Sequence, residues 1–136
     1  MGDGSYNGIV YTIAGTVDIL NCTFVDNTTG SRNAVFGKGA MQCNTTGCHN
    51  TASGFYSLYI NTTGCNNTSS GYRSMTYNTT GCFNTATGFR SLYCNTTANN
   101  NTAVGACSLY ANTTGANNTA VGYRALLNNT IGSENV

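Results

Sequence analysis

The chain has no proline and no tryptophan, and only 7% of its 136 residues are charged. Proline cannot donate a backbone hydrogen bond to a neighbouring strand, so its absence fits a chain in which nearly every N–H has such a partner. The four acids, Asp3, Asp18, Asp26 and Glu134, lie near the ends of the sequence, and the single histidine is His49. These residues supply no carboxylate pair, nucleophile elbow, phosphate loop or metal triad. The expectation is therefore no enzyme, no catalytic residue, no metal site and no cofactor. A net charge of +1 lacks the dense Lys and Arg that nucleic acid demands. No stretch approaches the roughly 20 apolar residues of a membrane span. Neither nucleic acid nor membrane insertion is expected. The opening MGDGSYNGIVYTIAG has no basic n-region and does not read as a secretion signal. That leaves a removed leader, another export route, or assembly inside a cell followed by release.

Asparagine, threonine and glycine dominate instead, at 21, 23 and 17 residues. This is too polar for an ordinary core and too rich in Thr and aromatics for a disordered tail. The arrangement resolves the conflict, because Gly37, Gly54, Gly71, Gly88, Gly105 and Gly122 fall 17 apart without a slip. So do Asn44, Asn61, Asn78, Asn95, Asn112 and Asn129, and the register reaches back to Asn27. A fixed period of this size means one unit stacked on copies of itself. Two glycine breaks per 17 residues exclude a helix pair, and the Thr, Tyr, Phe and Val content favours strands. The spacing predicts an all-β parallel β-solenoid of about seven coils, each with two strands of four to six residues. Residues 1–16 read as a lead-in or assembly segment, and 17–136 as the solenoid domain. Within the domain, 17–33 is a degenerate first coil, and regular coils start at Ala34, Thr51, Thr68, Thr85, Thr102 and Thr119. Val136 would begin a further coil, which is compatible with a piece of a longer fibre or with subunits that join end to end.

The consensus T-A-x-G-aromatic-x-S-L-x-x-N-T-T-G-x-x-N assigns roles by column. Phe24, Met41, Leu58, Met75, Leu92, Leu109 and Leu126 form an unbroken apolar column and are the core candidates. Leu58 and the variable Tyr56 would share a face on a regular strand, so a bend or bulge is expected between them. The glycines at 37, 54, 71, 88, 105 and 122 are expected to turn the corners at positive φ. Stacked asparagines can hydrogen-bond up and down the column. The same residues Asn27, Asn44, Asn61, Asn78, Asn95 and Asn112 each begin an Asn-Thr-Thr sequon, so a laddered interior and a glycosylated surface both stand open. Further sequons start at Asn21, Asn66, Asn67, Asn100, Asn117 and Asn128.

The segments NTAVGYRALLNNTIGSENV and NTAVGACSLYANTTGANNTAVG resemble the head or stalk repeats of trimeric autotransporter adhesins, and also fibre proteins of large viruses and phages. The resemblance covers about residues 27–136. It implies a left-handed parallel β-roll and three chains side by side.

Three further columns carry functional candidates. Cys48, Cys65 and Cys82 occupy one position in successive coils, read either as buried thiols or as close enough for a disulfide 48–65 or 65–82 but not both. Arg73, Arg90 and Arg124 share a column interrupted by Cys107, and like charges one coil apart must be solvated or neutralised by an anion such as an acidic sugar. Tyr59, Tyr93 and Tyr110 form an aromatic column, open either to packing or to a ligand, while the Phe55 column reads as packed. The expected function is a structural module of an extracellular or virion surface fibre or adhesin. Its partners would be copies of itself and cell-surface glycans. The alternative is an ice- or carbohydrate-binding solenoid. Against ice, Thr45 and Thr46 are adjacent and would point to opposite faces, so the Thr51 column alone offers an outward rank.

Overall fold

The structure, a computed structural model, describes residues 30–136. Phe24, Asn27, the segment 1–16 and most of the first coil at 17–33 lie outside the described residues. Six strands follow one another: β1 (Ala34–Phe36), β2 (Thr51–Ser53), β3 (Thr68–Ser70), β4 (Thr85–Thr87), β5 (Thr102–Val104) and β6 (Thr119–Val121). They form one parallel sheet in sequence order. Its register is the sequence period itself: Thr51 faces Thr68, Thr68 faces Thr85, and Thr85 faces Thr102. The fold is a parallel β-solenoid, and its six strands span five full turns. At about 4.8 Å per step the sheet rises about 24 Å from β1 to β6.

Each regular coil from Ala34 to Val121 contains one strand of three residues, where the composition predicts two longer ones. The cause is a set of left-handed residues at fixed positions. In the coil 51–67 these are Gly54 (φ 134°), Tyr56 (51°), Leu58 (53°) and Asn66 (59°). No extended run can pass through them, so the rest of the coil is a chain of turns. It is stitched to the next coil nonetheless: Leu58 N donates to Ser74 O at 3.0 Å, and Ile60 N to Thr76 O at 3.0 Å. The pair of left-handed residues around Ser57 is the device that separates Leu58 from Tyr56. Leu58 and Ser57 are buried, while Tyr56 is only half-buried.

Met41, Leu58, Met75, Leu92 and Leu109 are fully buried, and Leu126 packs against them partly exposed. Ala52, Ala86 and Ala103 face them from the strands. A left-handed conformation costs a non-glycine residue about 1–2 kcal/mol. Burying a Leu or Met side chain contributes about 1.5–3 kcal/mol. The margin at these positions is therefore thin and depends on complete burial. Leu92→Ala is expected to lose about 2–5 kcal/mol in urea denaturation, and a loss below about 1 kcal/mol would show that the column is not the core.

The remaining interior is polar and satisfied. Asn61 Nδ2 donates to Asn44 Oδ1 at 2.8 Å, Asn78 Nδ2 to Asn61 Oδ1 at 2.8 Å, and Asn95 Nδ2 to Asn78 Oδ1 at 2.8 Å. The ladder continues through Asn112 to Asn129. A second ladder runs through Asn33, Asn50, Asn67, Asn84, Asn101 and Asn118. In it the backbone N–H of each asparagine donates to Oδ1 of the one before, as Asn67 does to Asn50 at 2.9 Å. Buried amides are kept only where their donors and acceptors are met. Two ladders per coil meet that condition without a partner from outside the coil stack.

A third stitch focuses donors on one carbonyl. Thr62 O accepts from Thr45 N, Thr46 N and Gly47 N at 3.0, 3.0 and 3.1 Å, and from Thr45 Oγ1 at 2.9 Å. A Cβ on Gly47 would stand 2.5 Å from Gly64 O, which explains the glycine. In one coil this position is Ala98, and there only Thr96, through its N–H and its Oγ1, reaches the equivalent acceptor, Thr113 O.

Candidate functional site

The residues between the turn glycine and the asparagine of each coil include the outward aromatic and basic side chains. Immediately after the glycine come Phe55, Tyr72 and Phe89. Their rings stack at 5.3 and 5.4 Å between centroids and within 8° of parallel. Where the sequence predicts a packed column, these rings stack on one another on the outside of the coil, with Tyr72 and Phe89 exposed. The next position is left-handed and carries Tyr56, Arg73 and Arg90, at φ 51°, 54° and 51°. The Arg73 guanidinium lies over two rings, 5.7 Å from Tyr56 and 5.5 Å from Tyr72. Arg90 does the same with Phe89 at 5.2 Å and Tyr93 at 5.4 Å. Such contacts hold a cation in place without neutralising it.

Three residues further on, the column reads Tyr59, Thr76, Tyr93, Tyr110. Tyr93 and Tyr110 stack at 5.2 Å. Thr76 interrupts the ladder: it is buried, and its hydroxyl donates to Arg73 O at 2.9 Å and Tyr56 O at 3.2 Å. The missing rung leaves a notch of about 280 Å³ lined by Tyr56, Tyr59, Ile60, Arg73, Thr76, Tyr77 and Tyr93. The aromatic lost at Thr76 reappears one residue later as Tyr77, which meets Tyr93 edge to face at 5.0 Å.

The only acid among the described residues is Glu134, near the far end of the stack, so no carboxylate side chain of the described residues lies beside Arg73 or Arg90. Arg90 Nε is buried without a hydrogen-bond partner. Burial pushes the Tyr93 phenol above its ordinary value, and the Tyr77 hydroxyl beside it adds to the shift, against the opposing pull of Arg73 and Arg90. The phenol therefore stays neutral, and able to donate, at pH 7. The notch offers aromatic faces, phenol hydroxyls and positive charge that no described residue compensates.

The structure brings Arg73, Tyr59 and Tyr93 together in this notch and sets Arg90 against its Tyr93 wall. Tyr110 lies one rung below, stacked on Tyr93. Arg124 stands apart, 5.9 Å from the exposed ring of Tyr123. Tyr56, Ile60, Thr76 and Tyr77 are lining residues that the column reading does not select. Their signal is the replacement of Leu-Tyr in coil 51–67 by Met75-Thr76-Tyr77, an aromatic displaced by one position.

The six cysteines of the described residues are unpaired thiols. Cys48 Sγ and Cys65 Sγ lie 2.9 Å apart, whereas Cys65 Sγ is directed to Thr63 O and Cys82 Sγ to Thr80 O, each at 3.4 Å. The Cys65 thiol hydrogen bond raises the Cys48 thiol above its ordinary value, and burial alone raises that of Cys94. Treatment with oxidised glutathione is expected to link Cys48 to Cys65 and leave Cys82 free, as read by peptide mapping. A 65–82 link as the main product would contradict this. Among the described residues no cluster of three or more His, Cys, Asp or Glu could hold a metal ion. No helix there is long and apolar enough to cross a membrane.

The sequon asparagines divide into two kinds. Asn44, Asn61, Asn78, Asn95 and Asn112 are buried, with their side-chain nitrogens donating inside the coil stack, so a glycan on any of them would be incompatible with the folded coil. Asn67 lies in the second ladder. Asn66, Asn100 and Asn117 are exposed and left-handed, at φ 59°, 58° and 58°, a conformation asparagine tolerates better than most residues. Asn128 is exposed as well.

No protein-family model, curated protein or solved structure matches the chain.

Proposed function

We propose that the chain is a structural repeat module of an extracellular or virion surface fibre or adhesin, and that it associates with copies of itself. The observation that supports this most is the identity of successive coils along one axis. Each coil offers the next the same strand register and the same two asparagine rungs. Such a stack has no inherent length and conveys extension, which is what a fibre requires. A parallel stack of like coils lets another copy continue the same register, which supports an end-to-end filament; side-by-side trimers are the other arrangement. The exposed sequons at Asn66, Asn100, Asn117 and Asn128 make a glycan coat compatible with the fold in a secretory setting. Native mass spectrometry with electron microscopy of the purified chain tests the reading. Trimers or rods of many subunits are expected, and a monomer at all concentrations would reject it.

The second reading is a ligand-binding solenoid, for carbohydrate or for ice. The notch favours carbohydrate, since sugar rings stack on aromatic faces. For ice, Thr51, Thr68, Thr85, Thr102 and Thr119 give one continuous outward rank. The rank beside it is mixed: Phe36, Ser53, Ser70, Thr87, Val104 and Val121. A regular two-rank lattice is therefore missing, and no thermal hysteresis is expected.

A further inference from the structure

We propose that the notch at Thr76 is a binding site for a carboxylated sugar, such as a hexuronic acid residue of an acidic polysaccharide. The inference rests on the carbohydrate reading above and names the class of sugar and the place.

Three observations carry it. The first is shape: Thr76 removes one rung from the Tyr59–Tyr93–Tyr110 column, so the flanking tyrosines are two coil steps, about 9.6 Å, apart. The opening is about 280 Å³, room for a single sugar ring with a substituent. The second is chemistry. Its walls are the rings of Tyr56, Tyr59, Tyr77 and Tyr93, which suit the apolar face of a pyranose, while phenol hydroxyls can bond its hydroxyls. The third is charge. Arg73 lines the opening and Arg90 lies against its Tyr93 wall, one coil further on, and no carboxylate of the described chain lies near either. A planar carboxylate can be taken by a guanidinium through two parallel hydrogen bonds, with the cation–π contacts holding Arg73 in position. An anionic sugar neutralises what the described residues leave unneutralised.

The same charge argues against a second copy of this chain as the occupant. Its own arginine column would meet Arg73 and Arg90, and among the described residues Glu134 is the only acid to offset them. Self-association along the stacking axis leaves this face free, so the site and the fibre are compatible.

The test titrates the full chain with a tetrasaccharide of alternating glucuronic acid and N-acetylglucosamine, following tyrosine fluorescence and amide shifts by NMR. A neutral tetrasaccharide of N-acetylglucosamine and sodium acetate serve as controls. Saturable binding is expected for the acidic tetrasaccharide, at least tenfold weaker binding for the neutral one, and none for acetate at equal concentration. Thr76→Tyr rebuilds the missing rung with the residue the column already accommodates at Tyr59, Tyr93 and Tyr110. It is expected to abolish binding while keeping the native circular dichroism spectrum, at a melting midpoint lowered by loss of the Thr76 hydroxyl bonds to Arg73 O and Tyr56 O. Arg73→Gln is expected to weaken the acidic ligand at least tenfold and the neutral one less than threefold. Equal affinity for both sugars would overturn the carboxylate assignment. Retained binding in Thr76→Tyr would overturn the location, and absence of saturable binding to the native chain would overturn the proposal. None of these outcomes bears on the fibre reading, whose readout is particle mass and shape.

Discussion

Asn78→Ala is expected to cost about 3–5 kcal/mol of unfolding free energy, far more than the loss of a polar side chain from a surface. Asn78 is fully buried at the centre of the first ladder. Its Nδ2 donates to Asn61 Oδ1 at 2.8 Å and to Gly81 O at 3.0 Å, and its Oδ1 accepts from Asn95 Nδ2 at 2.8 Å. Truncation breaks all three bonds and leaves buried groups without these partners, at about 1–3 kcal/mol for each group that finds no replacement. Asn78→Asp keeps the shape but removes both donations and adds a buried charge, so it is expected to be at least as damaging at neutral pH. Urea denaturation measures both, and a cost below about 1 kcal/mol for Asn78→Ala would mean that the ladder does not hold the coils together.

The second large effect is expected at the turn glycines. A Cβ on Gly71 would stand 2.6 Å from Gly88 O and 2.8 Å from Gly88 C, at a φ of 134° that side chains rarely adopt. Both atoms belong to the backbone of the next coil and cannot swing aside. Gly71→Ala therefore combines conformational strain of about 1–3 kcal/mol with a clash of similar size, for about 2–6 kcal/mol in total. Gly122→Ala is the matched control: φ is 124°, but a Cβ there meets nothing within 4 Å. It is expected to show the strain alone. The gap between the two variants in thermal denaturation isolates the stacking contact, and equal losses would contradict the close approach of successive coils.

The stacking, the register and the apolar column are legible in the sequence because each depends on like residues recurring 17 apart. The strand length is not. Tyr56 and Leu58 adopt left-handed backbone, and neither residue type signals this, since both disfavour it. Only the packed stack imposes it, through bonds such as Tyr56 N to Lys38 O at 3.0 Å and Leu58 N to Ser74 O at 3.0 Å. Asn66 is the counter-example, a left-handed position whose residue type does announce it. The two meanings of Asn-Thr-Thr, ladder or sequon, are equally good readings of the residues, and burial of Asn61 and Asn78 separates them. At the notch, column reading selects Arg73, Tyr59 and Tyr93 because they recur. It passes over Thr76 and Tyr77 because they break the pattern, although the break is what creates the opening.

The central claim is that successive 17-residue segments lie one above another at a constant step. Paired spin labels on the exposed column of Thr46, Thr63, Thr114 and Ile131 test it directly by electron–electron double resonance, with the native cysteines replaced by serine. The pairs 46/114 and 63/131 are four coils apart and are expected at equal distances near 19 Å, with 46/131 longer by about 4.8 Å. Unequal distances for the two four-coil pairs, or a 46/131 distance no longer than theirs, would contradict the stack.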